Sequence, residues 1–523
     1  MRKSFTKTTM DVSPHAVEHE KGFSLLPTEI IIAIAAELVL ARSPDYRYWE
    51  ETCQQLKILR LAHRKFADCG YINKILFTRV RLEPTRGGLR TIQRGDFSRV
   101  ANYVESITFI TPPSCELSFE TYQSIVNEPD RISAFFSEKK LAEGYAAYMR
   151  DAKYAEALLE DLDGELKATW SRILKTTGDR LKTVRLLSDD CKEARHIECF
   201  DTPSEVHCGV PSRLPRHDHG LGPVRYGCHY ATAVAGDKLF NMAMSCLSAS
   251  RVAILNLTIG TLMTANIECT KIPGWQQLDF SLLKKLDFSC EFPSDEHGLV
   301  SDALKAVTAE NMEKAGNIVH QLIDKCHSTI AEVTLGGFDG DATVWPTRAP
   351  TYELPALHTF TQRVDHNPLL LHHWLLHMPS LRCFTLAGRI ANECPSIDLR
   401  YVFDAIRDHP NVSGPDPKGL EVVFEQIVAS EWVEISYSGT ICKNSCIATA
   451  RREPDTSSDH LIDCGFPLEA HFYGEIAFKR NYPLRYQLDD WDPDNEDSDE
   501  DEDEDEDEED ENEEWEEESS EEE

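Results

Sequence analysis

The sequence predicts an α/β chain in three parts: a short all-α module over residues 23–83, an irregular strand-and-helix body over 84–487, and a disordered acidic tail over 488–523. Three observations carry this. Apolar residues near the start recur at helical spacing. Between residues 99 and 440, short segments alternate apolar and polar. From Asp489 onward there are 27 acidic residues and no Lys or Arg. Residues 1–22 are expected to be disordered as well.

The module begins at Leu26-Pro27-Thr28-Glu29-Ile30. Pro27 suits a first helical turn, because its φ is already helical and its missing N–H would be unpaired there. Glu29 lies where a negative charge meets the positive end of the helix dipole. Ile30, Ile31, Ile34, Leu38 and Val39 make an apolar stripe. Residues 40–55 read as a polar connection. A second stripe follows at Leu56, Leu59, Leu61, Ala62 and Phe66, with Lys57, Arg60, Arg64 and Lys65 between its members. Helices this short cannot bury so much apolar surface alone. The surplus must face the rest of the chain or a partner.

Three ordered pieces resemble the F-box family: Leu-Pro-x-Glu-Ile at 26–30, the Leu-x-x-Leu-x-Leu-Ala-x-Arg-x-Phe run at 56–66, and Leu-Phe-x-x-Val-x-Leu at 76–82. The resemblance implies helices that bind the Skp-type adaptor of a cullin-RING ubiquitin ligase, with Leu26, Pro27, Ile30, Ile34, Leu59 and Phe66 as the adaptor contacts. It further implies that the rest of the chain selects an unknown protein substrate and supplies no catalytic residues.

The body shows half-buried strand patterns at Val104–Ile110, Leu181–Leu187, Val252–Leu257, Leu283–Phe288, Ile330–Leu335, Leu357–Phe360 and Leu381–Leu386. Helical patterns precede several of them, at 237–248, 309–326 and 369–377. From residue 181 the strand starts are spaced by 71, 31, 47, 27 and 24 residues. The segments resemble the Leu-x-x-Leu-x-Leu strand of leucine-rich repeats in degenerate form. That resemblance implies an irregular α/β solenoid with parallel strands on one wall and helices on the other. The outward residues Thr183, Arg185, Lys284, Asp287, Glu332 and Thr334 would then touch the target.

Residues 191–236 read as an insertion loop rich in Pro, Gly, His and Cys. His196, Cys199, His207, Cys208, His217, His219, Cys228 and His229 are metal-capable residue types, yet no Cys-x-x-Cys pair occurs there. His373 and His377 form an i,i+4 pair on one helical pattern. No metal site and no cofactor is expected. The 16 Cys are scattered, as fits reduced thiols inside a cell. Motifs for a nucleophile elbow, a phosphate-binding loop, a dinucleotide fold or a zinc protease are missing. The expectation is therefore a non-catalytic subunit.

The net charge of −36 is unevenly placed. Residues 1–488 hold 63 acidic and 54 basic residues, a net of −9. No nucleic-acid partner is expected of such a body. No apolar run reaches the ~18 residues of a membrane span, so no membrane partner is expected either. Nor does Met1–Thr6 lead into the apolar centre of a secretory signal. These point to the cytoplasm, the nucleus or both. The tail repels itself and should stay disordered. It could capture basic proteins, which defines the alternative function of a ligase-independent scaffold. Trp491 and Trp515 stand out in so polar a stretch.

Overall fold

The computed structural model describes residues 26–40, 46–94, 96–115, 117–126, 138–187, 223–260, 266–290, 302–336, 350–364, 371–389, 405–430 and 433–441, with a few isolated positions and one short hairpin besides. The expected disorder of 1–22 and 488–523 falls outside these residues.

Among the described residues, ten strands form one sheet: β1 (Arg79–Leu82), β2 (Ser106–Ile110), β3 (Thr183–Leu187), β4 (Asn256–Ile259), β5 (Lys285–Phe288), β6 (Glu332–Leu335), β7 (Thr359–Val364), β8 (Cys383–Arg389), β9 (Leu420–Ser430) and β10 (Val433–Ile441). They lie side by side in sequence order. All pairings are parallel except the last, where β10 folds back on β9. The protein is thus mixed α/β around a mostly parallel sheet.

The register explains the stability of this arrangement. Val80, Ile107, Val184, Leu257, Leu286, Val333, Phe360, Phe384 and Val422 stand in one row across the sheet. Two residues on in each strand, Leu82, Phe109, Leu186, Ile259, Phe288 and Leu335 continue a second row. Both rows belong to the main core. Because side chains alternate along a strand, the two rows share one face.

Helices cover that face. α1 (Thr28–Leu40), α2 (Tyr46–Ala62), α3 (Arg64–Ala67) and α4 (Gly70–Phe77) precede the sheet. Between strands lie α5 (Arg86–Arg94), α6 (Ser98–Ala101), α7 (Phe119–Val126), α8 (Glu138–Glu160), α9 (Glu165–Thr177), α10 (Pro223–Ser250), α11 (Asp302–Asp324), α12 (Leu371–Leu376) and α13 (Pro410–Ser413). The main core draws Trp170 and Ile173 from α9, Phe240 and Leu247 from α10, Ile318 and Leu322 from α11, and Trp374 from α12. Trp170 is fully buried, with its ring centroid 4.8 Å from that of Phe109 on β2. A satellite cluster joins Leu117, Tyr122, Leu141 and Tyr148.

Several expectations need correction. The polar stretch read as a connection over 40–55 is helical from Tyr46, as the first half of α2. Part of the expected insertion loop is also helix, since α10 begins at Pro223. Only a two-residue hairpin, Val206–His207 with Val210–Pro211, is described before it. The strand expected at Val252–Leu257 sits later, at Asn256–Ile259, because Val252 and Ile254 enter the core from the turn after α10.

His409 fastens the end of the body. Its Nε2 lies 2.9 Å from the Met378 carbonyl, and its Nδ1 accepts from the Asn411 N–H at the start of α13. Asn411 Nδ2 in turn donates to the Leu381 carbonyl at the entry to β8. One neutral imidazole satisfies both bonds, whereas a second ring proton would face the Asn411 N–H. Desolvation accordingly lowers the His409 pKa from 6.5, against the opposing bond to Met378.

Two outcomes follow. Trp170→Ala should cost about 3–5 kcal/mol of stability in urea unfolding, the usual range for deleting a buried Trp. Above pH 6.5 the His409 ring is neutral in both folded and unfolded chains. As pH falls below 6.5, the unfolded chain takes up a proton that the native site resists, so stability must fall. Urea unfolding at pH 7.5 and 5.5 should show that loss, and His409→Gln should lessen the difference.

Candidate docking surface

The N-terminal helices build their own small core. Ile31 and Ala35 of α1 meet Cys53 and Leu56 of α2, Phe66 of α3, and Ile72 and Leu76 of α4. Pro27 opens α1 by offering its carbonyl to the N–H groups of Ile30 and Ile31. Lys65 Nζ donates to the Leu26 carbonyl at 2.8 Å, tying α3 to the approach of α1. Phe77 packs against both this cluster and the main core, so it joins the module to the sheet. The Arg60 guanidinium lies over the Phe77 ring, 4.6 Å from its centroid.

This small core leaves apolar side chains outside. Of six exposed large hydrophobics among the described residues, four lie on α1 and α2: Ile30 at 45%, Ile32 at 37%, Ile58 at 62% and Leu61 at 89%. The other two, Leu282 and Leu376, stand apart in the body. Single exposed hydrophobics are ordinary. Their concentration on two adjoining helices is the informative feature.

Each residue expected to contact a partner can now be placed. Ile30 is exposed, as is Pro27; Leu26 and Leu59 are half-buried at the margin of the small core, and Ile34 is half-buried. Phe66 is 1% exposed and enclosed by its own module, so it supports the helices from within. Sequence reading missed Ile32 and Ile58. Of the second apolar stripe, Leu61 and Ala62 are exposed, whereas Leu56 and Phe66 are buried. The signal was present: Leu56 and Leu59 define the inward side of α2, and Ile58 and Leu61 fall off it by about 100° per residue.

The other surface in question is the sheet face opposite the main core. Thr183 and Glu332 lie in one row, through Asn256 and Lys285. Arg185, Asp287 and Thr334 lie in the next, through Thr258. Lys284 stands one residue ahead of its strand, exposed. Five of the six expected target-facing residues thus converge on two neighbouring rows, half-buried. Lys285 Nζ and Glu332 pair at 3.1 Å within the first row.

Among the described residues, no group of three or more His, Cys, Asp or Glu could hold a metal ion. Cys69, Cys115, Cys246, Cys269, Cys326 and Cys383 are free thiols. Burial pushes the thiols of Cys246, Cys269 and Cys326 up to about 12, so they stay protonated at neutral pH and behave as small apolar groups. No described helix is long and apolar enough to cross a membrane. No family model matches the chain, and no curated protein matches it.

Placement alone predicts a contrast. Ile58→Ser and Leu61→Ser should each leave stability within about 0.5 kcal/mol of the parent, as exposed substitutions do. Phe66→Ala should cost about 3–5 kcal/mol. Urea midpoints of the three variants test this directly.

Proposed function

We propose that this chain is a substrate-recruiting subunit of a cullin-RING ubiquitin ligase. On this reading α1 and α2 hold the Skp-type adaptor, and the body grips a target protein. The observation that carries it is that four of the six exposed large hydrophobics among the described residues, Ile30, Ile32, Ile58 and Leu61, lie on those helices. The F-box resemblance of residues 26–82 names the partner that would cover them.

Magnitudes keep the reading within bounds. Burying four such side chains yields roughly 1.5–3 kcal/mol each. Association costs roughly 4–15 kcal/mol. The exposed four therefore need help from their margin, where Leu26, Pro27, Ile34 and Leu59 lie. The sequential parallel order of β1–β9 supports a solenoid-like body, as in leucine-rich repeats, with the polar rows around Arg185 and Asp287 facing the target. Catalysis is then a matter of proximity: the subunit holds target and ligase together, and supplies no reacting group.

Full-length protein mixed with purified Skp-type adaptor should co-elute on size exclusion. Ile30→Asp, Ile58→Asp and Leu61→Asp combined should weaken that association at least tenfold, which corresponds to about 1.4 kcal/mol. Failure of the parent protein to co-elute, or full retention by the triple variant, would defeat the proposal.

A further inference from the structure

The edge at which the parallel strands begin carries exposed cations between two acidic positions, Glu105 and Glu421. One backbone rung runs along it from Lys182 through Leu255, Lys284, Ala331 and His358 to Arg382. The side chains of Lys182, Lys284 and Arg382 are exposed. Near β1 several cations crowd one carboxylate. Glu105 accepts from Lys182 Nζ at 2.8 Å. That bond, and then the charges of Lys182, Lys74 and Arg180, hold its carboxyl below the usual range despite some desolvation. Arg180 Nη1 donates to the Asn102 carbonyl at 2.8 Å and is fixed in place there.

The same sign continues onto the N-terminal module. Residues 57–99 contain eleven Lys and Arg against three acidic residues, a net of +8 in a chain of net −36. Arg64, Lys65, Lys74, Arg79, Arg86 and Arg90 are all exposed. On α2, exposed Ile58 and Leu61 alternate with Lys57 and Arg60. The surface is therefore basic with apolar side chains set among the charges.

We propose that residues 489–523 of this same chain dock on this edge and on the basic N-terminal helices. Their carboxylates meet the Lys and Arg side chains, and Trp491 and Trp515 supply the apolar contacts. Three features favour this occupant. The segment carries 27 acidic and no basic residues, the complement of the surface. Its two Trp match exposed Ile58 and Leu61, which a phosphate backbone would not. The chain also leaves the sheet at the right place. Ile441, the end of antiparallel β10, pairs with Leu420, the first residue of β9, at the edge where the other strands begin.

Reach is sufficient. Nine strand spacings of about 4.8 Å put β1 roughly 43 Å from β10 along the sheet. Residues 442–488 number 47. Fully extended, a segment of that length spans at most about 160 Å. An intramolecular tether also raises the effective concentration above that of any separate acidic protein. The docking stands without the ligase reading. Its consequence rests on that reading: a docked tail competes with the adaptor for α1 and α2 and holds the subunit idle until it is displaced.

Zero-length carbodiimide cross-linking of the full chain tests it, with mass spectrometry of the monomer band. At low ionic strength, Asp and Glu of 489–523 should join Lys65, Lys74, Lys182 and Lys284 at least fivefold more often than the helix lysines Lys139, Lys140 and Lys314. The preference should vanish at 1 M salt, where the screening length falls to about 3 Å. Combined Lys74→Glu, Arg86→Glu and Arg90→Glu, all exposed, should cut the Lys182 yield at least threefold. Cross-links spread evenly over surface lysines, links formed only between two copies, or an unchanged Lys182 yield would each overturn the proposal. Adaptor binding is a separate arm: removing 489–523 should tighten it about tenfold. Specific cross-links in a chain that binds no adaptor would uphold tail docking and reject the ligase reading.

Discussion

One-sided burial across a registered parallel sheet is the constraint on which the rest depends. Most strands present their apolar residues to the same face, Ile110 and Leu187 being buried on the other, and the register aligns them into continuous rows from Val80 to Val422. A one-residue slip in any strand would turn its inward pair outward. The helices before each strand answer those rows with Trp170, Phe240, Ile318 and Trp374. The opposite face is buried at Arg81, Thr108, Ile110 and Leu187 near its β1–β3 end, and carries half-buried Arg185, Asp287, Thr334 and Glu332 beyond.

The N-terminal helices face a different balance. Their core is small, and short helices cannot enclose every apolar side chain that their sequence carries. Phe77 and Arg60 anchor the module to the sheet, and Ile30, Ile32, Ile58 and Leu61 are left over. Exposed hydrophobics on two adjoining helices weigh against solubility unless something covers them. The proposed adaptor and the proposed tail are two answers to that single need, and they would exclude each other.

Charge follows the same geometry. Parallel strands all begin at one edge, so cations placed just before them, such as Lys182, Lys284 and Arg382, gather there although they are far apart in sequence. An antiparallel final strand returns the chain to that edge. The overall charge of −36 conceals this local positive surface, because the acidic residues after Asp489 dominate the sum.

By itself the sequence determined the segments whose period is local. The alternation in Leu181–Leu187 and Leu381–Leu386 marked β3 and β8, and the spacing of Ile31 and Leu38 marked α1, because half-burial leaves its imprint within a few residues. Tertiary structure alone decided what local period cannot encode. Tyr46–Gln55 and the start of α10 look polar, yet both are helical. The reversal of β10 on β9 depends on pairing across the sheet. Which members of an apolar run face outward depends on what else competes for the core. Leu56 won a place in it, and Leu61, five residues on, did not, since α2 had room to bury only one side.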